Sequence, residues 1–149
     1  MKKILIAAIA AVFCFCSCME RVEDYIYTLG FDGLAGTSIV SSNDPEGKAL
    51  INEFKDAVDA YKSKNVGNWQ WVETINGGNT SKADAAAKKT YDKYSAEIKS
   101  MFDTYQAKFD ALPDKGSVYE VSYDFTLYRT MGGNETLATT KYSISFGNI

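Results

Sequence analysis

Two alternating runs near the C-terminus constrain the fold more than any other feature of the chain. From Tyr119 to Leu127 the odd positions Tyr119, Val121, Tyr123, Phe125 and Leu127 are apolar, and Glu120, Ser122, Asp124 and Thr126 between them are polar. From Ala138 to Phe146 the apolar parity is even, at Tyr142, Ile144 and Phe146, with Thr139, Lys141, Ser143 and Ser145 between. Period-two alternation marks a strand with one buried face. The parity change across Gly132-Gly133 marks a hairpin turn. A four-residue loop from Gly132 to Glu135 pairs Met131 with Thr136 and sets Phe125 against Tyr142, Tyr123 against Ile144 and Val121 against Phe146. Lys141 then stands opposite Thr126 and diagonal to Asp124. A slip of one residue would turn one strand's apolar set into water, so the face is strongly specified.

The remaining elements follow from the same kind of pattern. Tyr25, Tyr27, Leu29 and Phe31 alternate with mostly polar neighbours and predict a strand, interrupted on its polar side by Ile26. A Gly- and Ser-rich loop is expected from Asp32 to Asn43. Asp44-Pro45-Glu46 is a helix start, because Asp caps free amides and Pro suits the first helical position. Leu50, Ile51, Phe54, Val58 and Tyr61 then form one apolar stripe on a helix from Pro45 to Lys64. The aromatic, β-branched segment 69–75 between Gly67 and Gly77-Gly78 predicts a strand. Ser81 with Asp84 three residues on is similar to a capping box. It opens a helix to Leu112, about 48 Å long, which is stopped by Pro113. So long a helix either bends or projects, and the Ala85 to Lys89 end, poorest in large apolar residues, is the end expected to project. Its opposite face, with Lys88, Asp92, Lys99, Asp103 and Asp110, reads as solvated. The fold class is therefore α+β, in the order β-α-(β)-α-β-β, with an antiparallel sheet of three or four strands and two amphipathic helices packed on one face.

The 149-residue chain has three cysteines, Cys14, Cys16 and Cys18, and no histidine. Everything after Cys18 thus lacks the side chains for Ser-His-Asp or Cys-His catalysis, for thiolate or imidazole zinc sites and for a redox Cys pair. Met1-Lys2-Lys3, the apolar run Ile4 to Phe15 and then Cys16-Ser17-Cys18 make a charged, an apolar and a small-residue region in turn, the layout of an export signal that is too short to span a bilayer.

This segment resembles a bacterial lipoprotein signal, in which the cysteine after a short small-residue box is acylated and becomes the mature N-terminus. Cys14 and Cys16 follow bulky Phe13 and Phe15, whereas Cys18 follows Ser17, so Cys18 is the expected lipidation site. Phe15 stands where that family usually has Leu, which leaves ordinary signal cleavage as the alternative. The resemblance implies removal of residues 1–17, a lipidated Cys18 with a short acidic tether over 18–24, a single domain over 25–149, and a protein held on the cell envelope at the outer membrane by acyl chains. Glu20, Glu23 and Asp24 look like the surface-export signals of lipoproteins in the Bacteroidota, and a merely solvated linker explains them equally well. The net charge is −3 and becomes more negative once Lys2 and Lys3 leave, which disfavours nucleic acid as a partner.

Little chemistry is written into the mature chain. Gly30, Gly33 and Gly36 before Thr37-Ser38 lack the Lys of a P-loop and the Gly-x-Gly of a dinucleotide fingerprint. Glu120 and Asp124 share a strand face but lie about 13 Å apart, too far for a glycosidase pair. Asp32, Asn43 and Asp44 lack the alternating spacing of a calcium loop. No enzyme activity, cofactor or metal is expected. The aromatic content is the one anomaly, with ten Tyr overall and Trp69 and Trp71 on one side of the same segment. Such rings stack on sugars or anchor a protein partner, so Trp69 and Trp71 are the candidate binding residues for an envelope protein or a glycan. The competing expectation is a structural or assembly component that contacts its partner through the helix 81–112.

Overall fold

The computed structural model describes residues 21–147. Cys18 and the whole signal segment lie outside the described residues. One antiparallel sheet is built from β1 (Val22–Gly33), β2 (Thr37–Ile39), β3 (Gln70–Asn76), β4 (Val118–Thr130) and β5 (Asn134–Phe146), and two helices, α1 (Pro45–Asn65) and α2 (Ser81–Asp110), cover one face of it. The α+β architecture expected from the sequence is the one observed. The strands lie in the order β3-β1-β4-β5, and β2 continues the track of β1 along β4 after an irregularity at residues 34–36. Segment 69–75 is largely strand, as its composition predicts, and a 3-10 turn at Val66–Asn68 feeds it from α1. The core lies between sheet and helices: Tyr27, Phe31, Phe125, Leu127 and Ile144 from the strands meet Phe54, Ile98 and Phe109 from the helices, all at most 2% exposed.

The hairpin keeps its predicted face and changes its register. Tyr119 faces Phe146, Val121 faces Ile144, Tyr123 faces Tyr142 and Phe125 faces Thr140, two positions away from the pairing that a four-residue loop implies. The turn is shorter, Met131 to Gly133, with Thr130 opposite Asn134 and Gly132 at φ +73. A bulge at Leu137, between the pairs Leu127–Ala138 and Tyr128–Thr136, supplies the compensating residue. A shift of two leaves every side chain on its own face, because two is the strand's period. Lys141 moves from diagonal to directly opposite Asp124.

The expected loop 32–43 is partly strand. β1 runs on to Gly33, and β2 approaches β4 so closely that a Cβ on Gly36 would lie 2.3 Å from the Glu120 carbonyl oxygen. Gly36 is therefore required by backbone contact. At the start of α1, Asp44 caps as predicted, its Oδ1 accepting from the Gly47 amide at 2.9 Å, and the residue is 2% exposed. The Ser117 hydroxyl beside it, together with that amide, holds the carboxyl below the usual carboxylate range against the opposing effect of burial. A Cβ on Gly47 would fall 2.2 Å from Asp44 Oδ2, so the cap and the glycine are one unit. Asp44→Ala is expected to lower stability by about 1–2 kcal/mol in a urea titration; a change under about 0.3 kcal/mol would show that the cap is idle.

At α2 the prediction needs two corrections. Thr80 is the N-cap residue, the Ser81 amide is satisfied by Asn79 Oδ1 at 3.1 Å, and Asp84 is turned away from the helix end to a tertiary partner. The Ala85 to Lys89 end does not project. Ala87 is 1% exposed, and Asp84 is held by the Tyr27 hydroxyl of β1 and by Arg129 of β4, so this end stays on the sheet. The helix crosses the sheet diagonally, from Tyr27 at its start to Phe109 against Phe146 near its end, which is how a 30-residue helix stays packed along its length.

Candidate functional site

The two outer edges of the sheet are treated differently. At β5 the Gln106 side chain acts as a short substitute strand: its Nε2 donates to the Ser145 carbonyl at 2.9 Å, and its Oε1 accepts from the Ser145 amide at 3.0 Å. The Leu137 bulge and Lys141 add two further obstacles to strand addition there. At β3 no such device is present among the described residues. Its hydrogen bonds to β1 are made by odd residues, as the bonds from the Leu29 amide to the Trp69 carbonyl (2.8 Å) and from the Gly77 amide to the Arg21 carbonyl (2.9 Å) fix the alternation. Gln70, Val72, Thr74 and Asn76 therefore turn their main-chain N–H and C=O groups outward. The strand has no Pro, Lys or bulge, Glu73 on the helix side is its one charged residue, and Val72 is 58% exposed.

Beside this edge runs an open groove of about 510 Å³. Glu73 and Ile75 form its strand wall, and Asn79 just before α2 with Lys82, Ala83 and Ala86 from its first turns form the other. Two alanines leave room for the inward side chains of an added strand, and one carboxylate and one ammonium give the groove both signs of charge.

A polar network locks the helix start that forms this wall. Arg129 Nη1 donates to Asp84 Oδ2 at 2.5 Å and to Thr80 Oγ1 at 2.6 Å, while Nη2 bonds Glu135. Tyr27 donates to Asp84 Oδ1 at 2.7 Å, and the guanidinium lies 5.8 Å from the centre of the Tyr25 ring. Burial and then the Asp84 hydrogen bond push the Tyr27 phenol well above its ordinary pKa. Burial works against ionisation of Asp84, yet the bonds from Tyr27, Thr80 and Arg129 win and hold its carboxyl below the usual range. A carboxylate so saturated is a poor general base. The network fixes the geometry of the helix start.

The sequence-derived candidates divide. Trp69 is 3% exposed and packed among Phe31, Tyr61, Tyr94 and Phe125, so it offers no surface to a ligand. Its Nε1 has no hydrogen-bond partner among the described residues. Trp71 is half-buried, stacked on Tyr27 at 5.6 Å, and lies on β3 two residues from Glu73. Asp32 stands opposite Asp124 on the bare face of the sheet while Asp44 is the helix cap. Among the described residues no three His, Cys, Asp or Glu side chains gather in a metal-binding group. Glu23 and Asp24, read as tether, are part of β1, where Asp24 accepts from Thr74 at 2.7 Å. The exposed face of α2 satisfies itself through the i,i+4 pairs Lys88–Asp92 and Lys99–Asp103.

The edge and the Arg129 network were not anticipated from the sequence, though both left a trace. Arg129 continues the odd, inward parity of Tyr119 to Leu127, and Val72 is an apolar residue on the polar side of its strand.

Among the described residues the fold thus defines an α+β protein with one helix-covered sheet face, one bare face and one edge with no covering segment. No family model matches the chain, and no curated protein or solved structure matches it. No helix among the described residues is long and apolar enough to cross a membrane.

Proposed function

We propose that the protein is a lipid-anchored, non-enzymatic module of the cell envelope that binds its partner through the β3 edge and the groove beside it. The observation that carries this reading is the contrast between the two edges, since a sheet that guards one edge with Gln106 and leaves the other open has a use for the open one. The anchor enters through Cys18. The Arg21 carbonyl is already bonded to the Gly77 amide, so only Met19, Glu20 and part of Arg21 separate the acyl group from the folded sheet, a reach of about 10 Å. Bound acyl chains at about 0.8 kcal/mol per buried methylene then hold the start of β1 near the bilayer surface. The self-paired charges on α2 make the long helix the weaker candidate surface.

Two arms of one experiment in whole cells test this. Cys18→Ala is expected to move at least nine-tenths of the protein from the membrane to the soluble fraction, and retention in the membrane would contradict the anchor. A photo-crosslinking residue in place of Thr74 is expected to give discrete adducts, while the same residue in place of Ser143 on the guarded edge gives none. Equal labelling from both positions would remove the case for β3.

A further inference from the structure

We infer that the strand added to the β3 edge is β3 of a second copy of this chain, paired antiparallel about a two-fold axis through Val72. The inference rests on the edge being the binding surface and names its occupant.

The register can be read from the residues. Because the outward main-chain groups belong to the even positions, even residues must face even residues across the new ladder. Three two-fold registers satisfy that rule and pair at least five residues of β3. Centring on Glu73 places the two Glu73 carboxylates directly opposite each other in a narrow pair, about 4.5 Å apart at Cα, which is repulsive. Centring on Thr74 sets exposed Val72 against Asn76 of the second copy and matches an apolar residue with an amide. Centring on Val72 sets Val72 against Val72, Gln70 against Thr74, and Glu73 against Trp71. That pairing forms about six backbone hydrogen bonds, and no like charges meet.

Two features of the surface fit this register. Ile26 of β1 pairs with Val72 on the bare face, and the two are 37% and 58% exposed. Across the two-fold axis they join into a row Ile26–Val72–Val72–Ile26, which buries apolar surface that each monomer leaves in water. On the helix side Trp71 of the second copy arrives opposite Glu73, where the groove is floored by Ala83 and Ala86 and has space for an indole. The interface is self-complementary, as a two-fold contact must be.

The anchors are compatible with this arrangement. The two-fold axis stands perpendicular to the sheet, so both short tethers reach one bilayer when the sheet lies along it. Confinement to that surface raises the effective concentration of one copy near another.

The test uses the full-length protein in its membrane with a short thiol-specific crosslinker. Val72→Cys is expected to give a covalent homodimer in yield at least ten-fold above the unsubstituted chain, which controls for the native cysteines. Thr74→Cys is expected to stay near that background, because its two copies lie about 13 Å apart along the strand in this register. Adding Thr74→Pro to Val72→Cys removes an outward N–H that β1 does not use, so the fold is kept and the homodimer is expected to fall at least ten-fold. Strong crosslinking from Thr74→Cys and none from Val72→Cys would overturn the register. If neither gives a homodimer while the Thr74 photo-probe still labels another envelope protein, the second copy is wrong and the edge remains the binding surface. If no adduct of any kind forms at β3, both the inference and the proposed function fall.

Discussion

Phe125→Ala is expected to destabilise the protein by about 4 kcal/mol, the largest effect of any single substitution considered for this fold. The side chain is fully buried at the centre of the sheet, stacked on Tyr91 at 4.9 Å and packed against Trp69 and Phe31 with ring centres at 5.9 and 6.1 Å. Its removal takes away the transfer energy of a phenyl ring and leaves a cavity whose walls are other rings, which cannot rotate into the space without losing their own contacts. Domains of this size are stable by only about 5–15 kcal/mol, so the loss corresponds to a drop of roughly 15 °C in Tm. A urea titration in which the midpoint moves and the slope does not would show that native stability alone has changed. Ser143→Ala on the bare face, made as a control, is expected to stay within about 0.5 kcal/mol. A Phe125→Ala loss under about 1 kcal/mol would mean that this cluster is not the core.

Arg129→Ala is expected to cost about 3 kcal/mol at pH 7, and most of that cost arises at Asp84. The Arg129 side chain is 14% exposed and that of Asp84 28%, whereas Glu135, the second partner, is 62% exposed and contributes little. The alanine variant leaves a partly buried carboxylate with Tyr27 and Thr80 but without its cation. The sign of the pH dependence follows from the direction of the Asp84 shift. In the folded protein its carboxyl titrates below its ordinary value, so its stabilising contribution is fully present above about pH 4 and is lost as pH falls through the lower, folded value. The stability gap between wild type and Arg129→Ala should therefore be widest near neutrality and begin to narrow below about pH 4, closing as pH falls through the lower value at which Asp84 takes up its proton in the folded wild type. A gap that stays constant from pH 7 down through the protonation of Asp84 would show that Arg129 acts only through packing over Tyr25. Because the pair also fixes the first turn of α2, the variant tests the groove wall: exchange of the Asp84 amide, which donates to the Thr80 carbonyl at 2.8 Å, should accelerate while that at Ile98 does not.

The hairpin shows how far local pattern reaches. Alternation in residues 119–127 and 138–146 identified both strands and their buried faces correctly, yet the pairing is displaced by two, since a three-residue turn and a bulge at Leu137 are nearly silent in composition. The bulge has a tertiary consequence. It changes the parity between Ala138 and Glu135, bringing Glu135 opposite Arg129 and to the side facing Asp84. The Trp pair shows the opposite limit. Trp69 and Trp71 share one face of their segment, as the spacing says, but neighbours from Phe31, Tyr61, Tyr94 and Phe125 close over Trp69 and leave Trp71 half open. Similarly, Asp84 at the third residue after Ser81 fits a capping pattern, and only the proximity of β1 and β4 redirects it to Tyr27 and Arg129.

What the sequence determined by itself is the two helices, the four longer strands and the face each one buries, though not the short β2, because strand and helix periodicity are properties of consecutive residues and survive any arrangement that covers the apolar side. The order of strands in the sheet, the register of the hairpin, the burial of Trp69 and the exposure of the β3 edge were decided by tertiary structure. Each depends on which residues distant in the chain become neighbours. The β3 edge is open because, among the described residues, no other strand lies beside it, and in the sequence only the misplaced apolar Val72 hints at that.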